Sequence, residues 1–235
     1  MKKLIIFSAF ILLCWSLKAQ ISFGYRGGYG SYSMKSLSAF QEAACSSSIF
    51  PAKVVTQFPG YFTHRLYLGK PNWSPLNGAY VGYLTTAGRI SISDFSGKYM
   101  FDMVLNGFQD GFHLDEIISQ AAGIDFRGYL EFGATTTFLQ LREYLKVGDE
   151  EVEETYRFMG HGIDVQPGIS AMYQLSNFRF GCYLGYELSI AAAFYEQGNP
   201  KTKLGTSSSN LAKPEWTGVR TGIEVTYIIG KKLHD

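Results

Sequence analysis

From Phe178 to Phe194 every second residue is apolar: Phe178, Phe180, Cys182, Leu184, Tyr186, Leu188, Ile190, Ala192 and Phe194. Between them stand Arg179, Gly181, Tyr183, Gly185, Glu187, Ser189, Ala191 and Ala193. Side chains on a strand point alternately to two faces, so the run predicts one strand with an apolar face and a small, polar or charged face. Apolar residues make up 46% of the chain, and at that frequency nine hits in succession arise by chance about once in a thousand tries. Length is the second constraint. A strand of a soluble domain runs to about 5–6 residues, whereas a tilted strand that crosses a bilayer takes about 9–11. An alternation this long suits a chain whose solvent is lipid.

The first residues agree with export. Lys2-Lys3, the apolar stretch Leu4–Leu17 and then Lys18-Ala19 form the pattern of a secretory signal peptide over residues 1–19, with one domain expected over 20–235. The apolar centre is too short for a transmembrane helix, and no later segment offers 18 consecutive apolar residues. Leu13 precedes Cys14 where a lipidation signal takes a small residue, so lipid attachment is not expected. Tyr and Phe total 34 and Gly 26, against 7 Pro and 17% charged residues, a balance that fits β-structure facing lipid. Without Lys2, Lys3 and Lys18 the chain has 18 basic and 20 acidic residues, a net of −2 that gives no electrostatic case for nucleic acid. Cys45 and Cys182 have no metal-ligand spacing and are not expected to pair; no cofactor is implied.

Eight strand-like segments follow. Ile21–Met34 comes first, then Lys35–Ser48 as a short helix within a long loop, because Leu37, Phe40 and Ala44 have helical spacing. Phe58–Leu68 is the second strand, with Pro59 marking a distortion if it begins earlier, at Ala52–Val55. Residues 69–77 are a turn by composition. Gly78–Ser93 and Lys98–Phe108 form a pair joined near 94–97. Asp110–Gly123 reads as a connector with a helical turn at Leu114–Ala121. Asp125–Leu141 alternates again, Arg142–Glu154 reads as a charged loop, and Tyr156–Tyr173 precedes Phe178–Phe194. Tyr195–Pro214 reads as a polar loop, and Glu215–Ile229 closes the set.

If Ser176-Asn177 is a two-residue hairpin loop, Leu175 faces Phe178, Tyr173 faces Phe180, Ile169 faces Leu184 and Asp164 faces Ser189. Apolar then meets apolar and polar meets polar along the whole pair, and a loop one residue longer reverses every match. Eight strands put both chain ends on one side. The connections near 35–57, 94–97, 142–155 and 195–214 fall on the other, which approximates long outer loops and short periplasmic turns.

By parity, Arg26, Arg65, Arg127, Arg179, Arg220, Glu131, Asp164, Glu187 and Glu224 point inward, and Arg89 is placed with them. A charge on the lipid face at mid-membrane costs about 2–4 kcal/mol, so the arginines belong inside. Mixed signs in a narrow interior predict an ion-paired network, because unpaired buried charge is expensive. Its plain reading is a filled, structural lumen; its functional reading is a narrow path or gate for small solutes.

The pattern resembles the small Gram-negative outer-membrane β-barrels of the eight-stranded OmpA-like and OmpX-like kind, over nearly all of Gln20–Gly230. The last strands of that family follow polar-x-Gly-x-x-apolar-x-aromatic, which Arg220, Gly222, Val225 and Tyr227 match. The family usually ends at the aromatic, whereas this chain continues through Ile228–Asp235. The resemblance implies an all-β fold, an eight-stranded antiparallel up-and-down transmembrane barrel, with ten strands the second count if 49–57 or 109–123 add a pair. It also implies an outer-membrane location, lipid and the barrel assembly machinery as partners, and long loops as the place for an extracellular ligand.

Two other classes are open to such a chain. A lipid-modifying enzyme needs a nucleophile, a base and an orienting group; of His64, His113, His161 and His234, His64 and His161 share the lipid-facing parity, but no local motif joins either to a Ser and an acid. Enzymatic activity is therefore not expected. A secreted lipocalin-like binder buries its apolar face, which the charged opposite face argues against. The acidic run Asp149–Glu154 lacks the oxygen spacing and turn glycine of a calcium loop and reads as a solvated segment.

Overall fold

The computed structural model describes residues 21–47, 52–69, 78–93, 97–207 and 209–230. The expected signal peptide, residues 70–77 of the expected turn, residues 94–96, His234 and the tail after Gly230 lie outside the described residues. The elements are β1 (Ile21–Gly30), α1 (Lys35–Ser47), β2 (Lys53–Gln57), β3 (Tyr61–Gly69), β4 (Gly78–Ser93), β5 (Gly97–Ala121), β6 (Ile124–Val147), β7 (Glu150–Leu175) and β8 (Phe178–Ala191). They continue with β9 (Tyr195–Glu196), β10 (Asn199–Lys203), β11 (Gly205–Ser207), β12 (Asn210–Leu211) and β13 (Gly218–Ile229).

Among the described residues, β1, β3, β4, β5, β6, β7, β8 and β13 each pair antiparallel with two neighbours, and the order returns to its starting strand. The register fixes the stagger. From Phe178 the partners run to Tyr227, Phe23, Leu68, Ala79, Phe112, Phe132 and Val165, and then to Leu188, ten residues further along the strand they started from. Ten residues of stagger over eight strands tilts each strand by about 40°. At that tilt, the outward apolar run Phe178–Ile190 rises by about 30 Å, the thickness of a bilayer's hydrocarbon core.

The hairpin register expected around Ser176-Asn177 is the observed one: Leu175 with Phe178, Tyr173 with Phe180, Ile169 with Leu184 and Asp164 with Ser189. Pairing lapses only beside Gln166-Pro167, where proline has no N–H to give. At the next turn toward the same end, Ala122 and Gly123 both have positive φ, 51° and 78°, as a two-residue primed turn requires.

The outward face is apolar nearly throughout. Phe23, Tyr29, Phe62, Leu66, Val81, Phe108, Phe132, Ile163, Ile169, Leu184, Ile190 and Ile223 are all exposed. The buried face has two layers. Toward the end at which β1 begins and β13 finishes, the terminal end, it is charged. Toward the opposite, loop end it is an apolar core: Leu84, Ile90, Met103, Leu105, Leu139 and Leu141 from the strands, closed over by Met34, Leu37, Phe58, Phe194, Leu204, Ala212 and Trp216. Trp216 is fully buried, donates its indole N–H to Thr137 Oγ1 at 2.8 Å and meets Tyr32 edge-on.

Several expectations change. Asp110–Gly123 is no connector with a helical turn but the continuation of β5, paired with β6 to Ala121 with a bulge at Ile118. Leu114, Ile117 and Ile118 mimic helical spacing, but the backbone of this stretch pairs with β6 along one edge rather than bonding internally. The Arg142–Glu154 segment is likewise a hairpin of β6 and β7, turning at Gly148-Asp149. Above the apolar belt both faces are wet, so no apolar alternation marks it. The Phe178 strand stops at Ala191, after which Phe194 turns into the core. Tyr195–Pro214 is more than a polar loop: β9 and β10 extend the sheet beside β7, and Leu204 and Ala212 are buried. The 53–57 segment is a short strand paired to β4 alone, and Lys35–Ser47 is helical as expected.

Candidate functional site

Parity places charges on the buried face; register decides which ones meet. Arg26 and Arg65 are direct cross-strand partners, two like charges side by side. They are tolerated because Glu131, projecting from the opposite wall, accepts from both. Arg26 Nη1 is 2.6 Å from Glu131 Oε1, and Arg65 Nη1 donates to Glu131 Oε2. Glu131 also accepts from the Tyr67 hydroxyl at 2.8 Å and contacts His113 Nδ1 at 3.0 Å. Arg26 is held a second time by its other cross-strand partner, Glu224, at 2.6 Å. Arg65 reaches Glu187 at 2.7 Å, Gln109 at 2.8 Å and Gln166 at 2.8 Å. Arg220 lies 3.2 Å from Glu187 and donates to the carbonyls of Ser31 and Trp216. Through Arg220 the charged layer grips the loop segment that carries the apolar plug.

Tyrosines fill the remaining space. The Arg26 guanidinium lies over the rings of Tyr67, Tyr129 and Tyr183 at 5.0, 4.5 and 4.5 Å, and that of Arg65 lies 5.1 Å from Tyr80. Such contacts gain strength where water is excluded. Glycine makes room for them. Gly168 and Gly185 are cross-strand partners, and a methyl group on either would strike the Tyr129 hydroxyl.

Among the described residues, Asp164 is a buried carboxylate with no arginine partner. It accepts from the Thr135 hydroxyl and, at 3.5 Å, from Gln109, while Oδ1 has no hydrogen-bond partner among the described residues. Nearer the terminal end, Arg127 pairs with Asp115 and lies 3.8 Å from Asp125. Half-buried Arg179 lines an adjoining cavity of about 50 Å³ with Tyr67, His113, Asp115 and Glu224. That volume holds a few water molecules.

The structure therefore brings Arg26, Arg65, Glu131, Glu187, Arg220 and Glu224 into one network, with Asp164 tied to it through Gln109. Arg127 and Arg179 form a second cluster. Arg89 belongs to neither: it stands on the outward face at the loop end, half exposed, paired with Asp102 at 2.5 Å. On β4 the buried positions are even-numbered (Leu84, Thr86, Gly88, Ile90), which turns Arg89 out. Gln109 and His113 join the site because β5 runs on past Phe108 through the segment expected as a connector. Tyr67, Tyr129 and Gln166 share the inward parity of Arg65, Arg127 and Asp164, the signal that identifies them as interior groups. Of the motif Arg220, Gly222, Val225 and Tyr227, all four lie on β13; Gly222 faces Gly28, and Tyr227 packs its ring 4.9 Å from Phe178. His64 bonds the Tyr25 hydroxyl at 2.7 Å, and His161 bonds Thr136 and Tyr195 at 3.1 and 3.0 Å, all on the outward face.

No family model matches the chain, and no curated protein does either. Among solved structures, Ail, the attachment invasion locus protein of Yersinia pestis, is similar at 12% identity over 91% of this chain and 100% of that one, with a TM-score of 0.28, a likeness too loose to carry function across.

Proposed function

We propose that the chain is an eight-stranded transmembrane β-barrel of a Gram-negative outer membrane, inserted with its loop end outward. In this reading it is a non-enzymatic wall whose interior is closed to solutes and whose loop end is the surface offered to extracellular partners. The observation that carries it is the inversion of the two faces. Apolar residues cover the outside over about 30 Å of height, while guanidiniums and carboxylates are sequestered within. A water-soluble chain of this composition buries the first set and exposes the second. The ionic layer and the Trp216 plug lie in series along the interior, so each blocks the path independently. The β13 residues Arg220, Gly222, Val225 and Tyr227 are assigned to recognition by the barrel assembly machinery.

The test has two parts. Membranes from cells making the protein are washed with carbonate, and the extracted protein is run on gels with and without boiling. Retention in the pellet and faster migration of the unboiled form are expected; release by carbonate would overturn the membrane assignment. The purified protein in planar bilayers is expected to give no discrete conductance steps, and reproducible steps would overturn the closed interior.

A further inference from the structure

Asp110 interrupts the outward face. It lies on β5 between Phe108 and Phe112, and its cross-strand partners are Val81 and Ala134. One strand further on each side the row continues with Leu66 and Ile163. Phe108, Phe112, Val81, Leu66 and Ile163 are exposed apolar residues of the belt. Asp110 is exposed too and has no hydrogen-bond or ion-pair partner among the described residues. A carboxylate so placed, surrounded by hydrocarbon, is poorly solvated unless another surface brings it a donor.

The same wall carries that donor at the same height. His64 on β3 is the cross-strand partner of Tyr83, and Tyr83 is the partner of Phe108. Two strand steps climb about 2.5 residues toward the loop end, from the ten-residue stagger shared over eight strands, and Asp110 lies two residues back down from Phe108. His64 and Asp110 therefore differ in height by about half a residue, on the order of 1 Å. The Tyr25 hydroxyl occupies His64 Nδ1, which leaves Nε2 as the nitrogen for a further bond. Two copies inserted in the same sense are related by an axis along the membrane normal, and such an axis keeps every residue at its own height. An axis through β4 exchanges β3 with β5, so that Asp110 of one copy meets His64 of the other, twice in each dimer.

The surrounding residues agree. Tyr83, Thr85 and Asn106 add polar groups to this wall, with the Tyr83 hydroxyl 2.6 Å from Asn106 Oδ1. The opposite wall, β8 and β13, turns out Phe180, Leu184, Tyr186, Leu188, Ile223 and Tyr227 and carries no outward carboxylate or imidazole among the described residues; its Thr221, like Thr85, is satisfied by a cross-strand carbonyl, at 3.1 Å. We infer that the β3–β5 wall is a self-association face whose occupant is a second copy of this chain, joined by reciprocal Asp110–His64 contacts. The inference rests on the reading of the outward face as lipid-facing.

The experiment is oxidative cross-linking in native membranes. In a Cys45→Ser background, Cys182 on the opposite wall is an internal control, and Val81→Cys places a thiol beside the axis. Disulfide-linked dimer is expected at several times the Cys182 background. Adding Asp110→Leu, a change that favours insertion, is expected to reduce it several-fold, while the exchange His64→Asp with Asp110→His restores it. Dimer at or below the Cys182 background overturns the proposal, as does a yield that Asp110→Leu leaves unchanged. Heat-modifiable migration of each variant is read alongside. Its loss in the parent protein marks failure of the membrane-barrel reading, whereas its retention with no dimer marks failure of the self-association face alone.

Discussion

Replacing Glu131 by Gln removes one charge and leaves the shape of the site nearly intact. Glu131 is 1% exposed and serves four neighbours: Arg26, Arg65, Tyr67 and His113. Taking one partner from a buried ion pair costs about 3–5 kcal/mol, because the remaining charge stays buried without compensation. Here two arginines lose a carboxylate at once, but each has a reserve, Glu224 for Arg26 and Glu187 for Arg65. The reserves place the expected loss at the lower end, about 3 kcal/mol. Glu224→Gln removes a carboxylate that serves one arginine and is itself 15% exposed, so about 1–2 kcal/mol is expected. The exposed pair Arg89–Asp102 supplies the control, with Arg89→Ala costing less than about 1 kcal/mol. The assay is urea unfolding of protein folded into detergent micelles, followed by fluorescence and by the unboiled gel band, with linear extrapolation to water. If Glu131→Gln and Arg89→Ala shift stability equally, the interior network is not what holds the closed sheet together, and the reasoning fails.

Other substitutions probe packing, turn and plug. Gly28→Ala puts a methyl group 2.8 Å from Gly222 Cα and 2.6 Å from the Tyr183 hydroxyl, and a loss of about 1–3 kcal/mol is expected in the same assay. Gly128→Ala meets only the flexible end of Ile118 and should cost less than about 1 kcal/mol; equal losses would remove the argument that glycine clears space for interior tyrosines. Ala122→Asn gives the primed turn the Asn-Gly sequence it favours, and a gain of about 0.5 kcal/mol is expected, read as a higher urea midpoint. Trp216→Ala empties the centre of the loop-end core. A loss of about 3–5 kcal/mol is expected, with proteolytic cleavage between 192 and 217 under conditions that leave the parent protein whole; resistance equal to the parent would show that Trp216 does not secure the plug.

Much of this was legible along the chain because strand side chains alternate with a period of two. The parity of Phe178–Ile190 and of Ile163–Tyr173 assigned each residue to a face, and the two-residue turn between them then gave a register that the structure reproduces pair by pair. Where both faces meet the same surroundings, alternation vanishes and the reading lapses. That is why the hairpin above the belt read as a loop, and why β5 beyond Asp110, interrupted by the Ile118 bulge, read as a connector. The sequence does carry a sign of the loop-end core: Leu139 and Leu141 share the inward parity of Arg127 and Glu131, which marks an interior that turns apolar toward the loop end.

Within the apolar belt, alternation alone assigned the strand faces, the apolar outside and most of the interior charges, because each is a local consequence of which face a side chain takes; Arg89 and the strands beyond the belt needed the structure. Tertiary structure alone decided that Glu131 stands between Arg26 and Arg65, that Arg220 holds the segment bearing Trp216, and that His64 and Asp110 share a height. Those relations follow from a ten-residue stagger accumulated over a closed circuit of strands, and no single strand contains it. The loop-end plug is tertiary for the same reason: Leu37, Phe194 and Trp216 come from distant parts of the chain, and only closure of the sheet gives them a common space to fill.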